Sequence, residues 1–323
     1  MNYGSIRGIE KPISRLVLGT MIINTKQLDM SFALMDAVME QGCTTFDTAH
    51  VYAGGESEKA IGMWLRERGN REKMVILSKG AHPGGGRKRV TPPDIASDLD
   101  DSLNRLQTDY IDIYLLHRDD LDVSVGPIVE CLNEHLEAGR IHAIGGSNWT
   151  HQRIQEANDY ADAHGLVPFS VSSPNFGLAD QVDDPWGPGC VSLSGPKEAE
   201  ARKWYEKNQL SVFAYSSLGR GFFSGRITRE NFEAQKDSID GACLRAYCHE
   251  VNFKRLDRVQ ILAKEKGMTV PQIATAYIMN QPLNVFALVG VANGDEFRAN
   301  VAACELKLTQ EEVDWLDLRS DSR

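Results

Sequence analysis

Eight short apolar runs recur along the 323 residues, and the segments between them carry apolar residues at helical spacing. That alternation restricts the chain to folds built on a parallel sheet covered by helices. The runs fall at 13–19, 44–47, 74–78, 110–116, 141–144, 169–172, 210–215 and 285–289. Helical segments are expected at 30–41, 57–68, from Thr91 onward, 125–138, 150–165, 198–208, 256–266, 270–280, 295–304 and 309–318, with Ser57 and Thr150 as N-caps. No break in composition divides the chain, so a single domain over 1–323 is expected. The pattern predicts a (β/α)₈ TIM barrel with further helices at the C-terminal end and a small hairpin in the Gly-punctuated segment before the first run. A doubly wound sheet is the competing reading. Its dinucleotide fingerprint is approached only by Gly219-Arg220-Gly221-Phe222-Phe223-Ser224, late in the chain and without the last glycine. The stretch 174–196 is long and rich in Pro, Gly and Asp, as binding loops and lids are.

Barrels of this kind collect chemistry at the carboxyl ends of their strands, so the residues that close each apolar run belong together. They are Asp47 and Tyr52, Lys79, His117, Ser147 and Asn148, Ser173, Tyr215 and Gly290. Each has an ordinary explanation: a salt bridge for the lysine, a strand-end histidine, a packing tyrosine. Four converging groups of these types describe a site for proton transfer instead. A phenol titrates at about 10, and a neighbouring ammonium stabilises its anion and brings the proton within reach. Asp47 would keep Lys79 charged, because a buried lysine without a partner tends to lose its proton. His117 would orient a substrate oxygen by a hydrogen bond. Neither HxH nor HExxH occurs, and the six cysteines form no CxxC, so no metal site is expected.

The set and its surroundings resemble the aldo-keto reductase superfamily over nearly the whole chain, in the branch that includes aryl-alcohol dehydrogenases and potassium-channel β subunits. Phe46-Asp47-Thr48-Ala49-His50-Val51-Tyr52 followed by Gly55-Glu56-Ser57-Glu58 is similar to the motif carrying that family's acid and general-acid tyrosine. Leu77-Ser78-Lys79 resembles its lysine strand, and 110–118 its histidine strand. The resemblance implies that Ser147, Asn148 and Ser173 hold a nicotinamide carboxamide, although many members have glutamine where Ser173 stands. It implies that Tyr215 stacks on the nicotinamide while Ser216, Ser217, Leu218, Gly219, Arg220 and Gly221 wrap the pyrophosphate. Gly290, Asn293, Glu296 and Asn300 fall where the adenosine end binds. The family leans to NADP(H), whereas Asn293 and Glu296 in place of basic residues suggest NAD(H).

The implied activity is NAD(P)H-dependent interconversion of an aldehyde or ketone and its alcohol, with Tyr52 as general acid and base. Two rivals are a cofactor-binding regulatory subunit with little turnover and a metal-dependent barrel isomerase or hydrolase. Trp149, Phe176 and Trp186, with His151, Asp183 and Asp184, are expected to line a substrate pocket that mixes aromatic faces with polar groups, which suits a sugar or hydroxylated carbonyl compound. A formal charge of −10 argues against nucleic-acid or anionic-membrane partners. No apolar run approaches the roughly 20 residues of a membrane helix, so a cytoplasmic protein with reduced thiols is expected.

Overall fold

Side chains alternate across a strand, so the parity of each residue decides whether it faces the barrel axis or the helices. The computed structural model describes residues 1–323. An antiparallel hairpin, β1 (Tyr3–Ile6) and β2 (Ile9–Ser14), precedes eight strands: β3 (Leu16–Gly19), β4 (Thr45–Asp47), β5 (Val75–Gly80), β6 (Ile111–Leu116), β7 (Ile141–Ser147), β8 (Val171–Ser173), β9 (Ser211–Ala214) and β10 (Val285–Val289). These eight pair in chain order, all parallel, and β10 returns to β3 to close the barrel. The helices are α1 (Leu28–Glu40), α2 (Glu56–Arg68), α3 (Pro92–Leu106), α4 (Val125–Glu137), α5 (His151–His164), α6 (Ala199–Asn208), α7 (Phe232–Gln235), α8 (Gly241–Tyr247), α9 (Glu250–Lys266), α10 (Val270–Met279), α11 (Gly294–Ala303) and α12 (Gln310–Leu316). None is long and apolar enough to cross a membrane.

Val75 and Leu77, Ile113 and Leu115, Ala143, Val171 and Phe213 fill the barrel, and Ile6, Ile9 and Ile13 of the hairpin seal its amino end. Leu18, Phe46, Ile76, Tyr114 and Leu116 have the opposite parity and pack in the larger core beneath the helices. The same count carries Asp47, Lys79, His117, Ser147, Ser173 and Tyr215 onto the inward side, one layer above the apolar filling. Ser78 consequently faces the helices.

Several boundaries differ from those expected. β7 continues through Gly145-Gly146, because the backbone there pairs with Val171 and Ser172; a Cβ on Gly145 would lie 1.7 Å from the Val171 carbonyl oxygen. Ser57 is not the cap of α2. Gly55, with φ 92°, takes that position, and the Ser57 hydroxyl is buried against Thr20 and Thr48. α7 and α8 were not expected, and α9 starts six residues earlier than its apolar spacing indicates. Polar residues occupy its buried face: Asn252 bonds the Asp180 and Tyr247 carbonyls, and Arg255 pairs with Asp317 at 3.3 Å.

Candidate active site

Asp47 ends β4, Lys79 is the penultimate residue of β5, and His117 follows β6, with Asp47 in register with Leu77 and Lys79 with Leu115. The Lys79 ammonium lies 2.7 Å from Asp47 Oδ1, donates to the Thr48 carbonyl at 2.8 Å and to the Tyr52 hydroxyl at 3.1 Å. Lys79 and Asp47 are both buried. Burial alone would lower the lysine, but Asp47 and Tyr52 outweigh it and its pKa is raised. Burial lifts Asp47 above the ordinary carboxylate range while the Lys79 charge opposes that rise; the short contact between them identifies the ion pair as the form present.

Tyr52 opens a 3₁₀ turn at the mouth of the site and retains some exposure. The three residues after it, Ala53, Gly54 and Gly55, have φ values of 51°, 65° and 92°, an unusual run of left-handed backbone that turns the chain into α2. Burial raises the phenol's pKa above 10, and the opposing pull of Lys79 does not overcome it. Lys79 pulls toward the phenolate as expected, but burial is the larger influence, so the group is a protonated donor at neutral pH. His117 meets Tyr52 edge-on at 5.8 Å between ring centroids and meets His82 edge-on at 4.9 Å. Its Nδ1 is buried without a partner. Burial, together with the charge of Lys79, lowers its pKa well below 6.5, so a neutral ring stands beside the phenol. His82 escaped the sequence reading, although its place three residues after Lys79, in the same loop at the barrel mouth, was the available signal.

Ser147 donates to the Ser173 carbonyl at 2.9 Å, and Asn148, at φ 58°, donates to Ser147 Oγ at 3.3 Å and the His117 carbonyl at 3.4 Å. Asn148 Oδ1 accepts from the Tyr215 hydroxyl at 2.7 Å and from the Val191 amide at 3.0 Å. Ser173 Oγ is buried with no partner. After β9, left-handed backbone at Ser216, Gly219, Arg220 and Gly221 forms a tight loop of the kind whose amides cradle anions. Ser217 is tied to the Ala214 carbonyl, and Leu218 is half-buried beside it. Arg220 pairs with Asp240 at 2.6 Å and lies 5.1 Å from the Trp186 ring centroid.

Beyond β10, Gly290 is exposed and Asn293 caps α11 by accepting from the Asp295 and Glu296 amides. Glu296 accepts from the Ala292 amide at 2.9 Å and lies 3.4 Å from Arg226. Asn300 is buried, bonded to Thr275 and to the Glu296 carbonyl. Two expected pocket residues are corrected. Trp149 is fully buried against Phe169 with its indole N–H on the Arg118 carbonyl, and Phe176 lies wholly within the core. His151 packs on Trp204 instead of facing the site. Trp186 is 41% exposed, 5.5 Å from the Tyr215 ring, and is the one member of that trio at the surface.

The sequence model of the Aldo/keto reductase family matches residues 15–318. Norsolorinic acid reductase B of Aspergillus parasiticus is 29% identical, with 90% of this chain and 74% of that one covered. A Saccharomyces cerevisiae protein named as a probable aryl-alcohol dehydrogenase is 26% identical, with 90% of this chain and 87% of its own covered. Among solved structures, a thermostable aldo-keto reductase in complex with the inhibitor epalrestat shares the fold, with a TM-score of 0.74, 23% identity, and 99% of this chain and 100% of that one covered.

The surroundings of His117 make a prediction. A histidine that folds into an environment lowering its pKa takes up its proton only below the unfolded value, so stability is lost as pH falls from 6.5 toward the folded pKa. In proton NMR the His117 ring should therefore stay neutral well below pH 6.5. A midpoint at 6.5 or above would contradict the geometry.

Proposed function

The chain belongs to the aldo/keto reductase family and is an NAD(P)-dependent oxidoreductase acting on carbonyl compounds, and from that premise we propose that Tyr52 is its general acid and base, served by Lys79, Asp47 and His117. The observation that carries this reading is the position of the Lys79 ammonium, 3.1 Å from the phenol oxygen and 2.7 Å from Asp47. A nicotinamide cofactor, when bound, supplies the hydride to the substrate carbon. The residues present suit such a group: Ser173 Oγ is an unpartnered buried polar atom beside Ser147 and Asn148, and the Ser216–Gly221 loop, with the Gly219 and Gly221 amides bonded within it, has the left-handed backbone of an anion-binding turn. Ser147, Asn148 and Ser173 would hold the carboxamide, Tyr215 the ring, residues 216–221 the pyrophosphate, and Gly290, Asn293, Glu296 and Asn300 the adenosine end.

In the reducing direction Tyr52 starts protonated, because burial disfavours its anion. As the carbonyl oxygen gains charge, the phenol gives it the proton, and the phenolate left behind is stabilised by Lys79. Asp47 keeps that ammonium charged throughout. His117, neutral, donates a ring N–H to the same oxygen and fixes its direction. Alcohol oxidation runs the steps in reverse and needs the phenolate first. The two exposed cations near α11, Arg226 and Arg298, are each matched by an acid, Glu296 and Asp295, which supports NAD(H) over a 2′-phosphorylated cofactor.

For the substrate we propose an apolar, aromatic carbonyl compound. Five of the nine exposed large hydrophobic residues, Met21, Ile22, Leu121, Val182 and Trp186, sit in the loops that follow β3, β6 and β8 at the carboxyl end of the barrel. The burial of Trp149 and Phe176 withdraws most of the support for a sugar site. The names of the norsolorinic acid and aryl-alcohol relatives point the same way.

Tyr52→Phe should cut turnover by about 10²–10⁴-fold while cofactor affinity changes by no more than about twofold; retained turnover would remove Tyr52 from its role. In the wild type, the rate of alcohol oxidation should climb with pH through 9 and beyond, while reduction stays level until the phenol begins to ionise above 10. Tested with both nucleotides, wild-type kcat/KM should favour aromatic aldehydes and ketones over sugars and NADH over NADPH. Trp186→Ala should narrow the aromatic preference by about tenfold, or about 1.4 kcal/mol. Equal relative rates in wild type and variant would exclude Trp186 from the pocket.

A further inference from the structure

One charged pair beside the site, a buried Glu58 and a half-buried Arg105, has no part in the chemistry above. Glu58, in the first turn of α2, is fully buried, and Arg105, near the end of α3, reaches it at 3.3 Å. The two helices come close enough because residue 62 is glycine: a Cβ there would lie 2.5 Å from the Arg105 carbonyl oxygen. Glu58 and Arg105 each hold a different part of the active site. Glu58 Oε1 accepts from the Ser78 hydroxyl at 2.7 Å, and Ser78 is the outward-facing residue directly before Lys79. Arg105 donates to the His50 carbonyl at 2.8 Å, two residues before Tyr52. The His50 amide in turn donates to the Lys79 carbonyl at 2.9 Å. The guanidinium also packs on the left-handed turn behind Tyr52, since a Cβ on Gly55 would lie 2.7 Å from its central carbon.

We propose that Glu58 and Arg105 are positioning residues that set the distance between the Lys79 ammonium and the Tyr52 hydroxyl. This rests on the reading of Tyr52 as the proton donor. The pair joins the strand carrying the lysine to the loop carrying the phenol from the helix side of the barrel, where neither residue meets substrate. Its worth follows from the loop it braces. Three successive left-handed residues leave the Tyr52 turn with little regular secondary structure of its own, so its position depends on what grips it from outside. A displacement of about 1 Å in a reacting group can cost about 10²-fold in rate.

A pair that merely stabilises the fold would make a different set of results. Removing Arg105 leaves the Glu58 charge buried without its cation, which lowers stability, while removing both charges relieves much of that loss. The test compares Glu58→Gln, Arg105→Met, Arg105→Lys and the double Glu58→Gln/Arg105→Met variant by melting temperature, kcat, KM and the pH dependence of alcohol oxidation, with Tyr52→Phe as reference. The single variants should lose about 10–100-fold in kcat with KM for the nucleotide little changed. Their oxidation profiles should move to higher pH, because a phenolate farther from Lys79 is less stabilised. The double variant should regain melting temperature without regaining kcat or the wild-type profile. Arg105→Lys keeps the charge and the fold but cannot grip Glu58 and His50 together, and should show the same kcat loss. Recovery of kcat in step with melting temperature, or an unmoved pH profile in the Arg105→Lys protein, would overturn the proposal. If Tyr52→Phe itself turned over normally, the proton-donor reading would fall first. An inactive Tyr52→Phe beside a fully active double variant would remove only the positioning role.

Discussion

Everything at the mouth of this barrel depends on how one buried ammonium is held. Desolvating an ion costs several kcal/mol even after the protein relaxes around it. Lys79 offsets that cost with a carboxylate 2.7 Å away and with hydrogen bonds to a backbone carbonyl and a phenol. The arrangement has a chemical consequence. The carboxylate makes the ammonium permanent, and a permanent ammonium is what a phenol needs if its anion is to exist in a dry pocket. Burial nonetheless keeps the resting phenol protonated. In the proposed mechanism the site therefore rests as an acid, and the ammonium acts when the proton leaves.

The barrel supplies this geometry almost without specialised structure. Parallel strands in register bring residues that end successive strands to the same height, and period-two alternation aims them inward above the Val75, Leu77, Ile113 and Leu115 layers. The opposite parity carries Ser78 to the helices, where its hydroxyl donates to Glu58, the partner of Arg105. Inward residues thus form the proposed site, and in the positioning proposal the outward Ser78 helps to hold Lys79 in place.

Much of this was legible in the sequence because apolar strand runs ending in Asp47, Lys79 and His117 leave few architectures open, and because the motifs around them are long. The parts that were hidden share a cause: their meaning lies in contacts and not in periodicity. α9 conceals its first turns because Asn252 and Arg255 occupy its buried face. Gly145 and Gly146 lie beyond the apolar run but are strand, as glycine is what the close approach of β8 requires at 145 and of the Trp149 side chain at 146. Trp149 and Phe176 looked like pocket residues by type and position, yet both pack inward. Ser57 has the chemistry of a cap and is used instead as a buried tie to Thr20 and Thr48. His82 was passed over because a single histidine in a Gly-rich loop gives no sign of what lies opposite it.

The central claim is that the Lys79 charge lowers the pKa of Tyr52 against the effect of burial, and it can be measured without turnover. Ultraviolet titration of tyrosinate, taken as the difference between each protein and its Tyr52→Phe counterpart, isolates the Tyr52 phenol in the wild type and in Lys79→Met. Removing the ammonium takes away the one strong stabiliser of the phenolate, so the Tyr52 transition should move to higher pH in Lys79→Met. Coincident titrations in the two proteins would show that the lysine does not govern the phenol, and the account would fail.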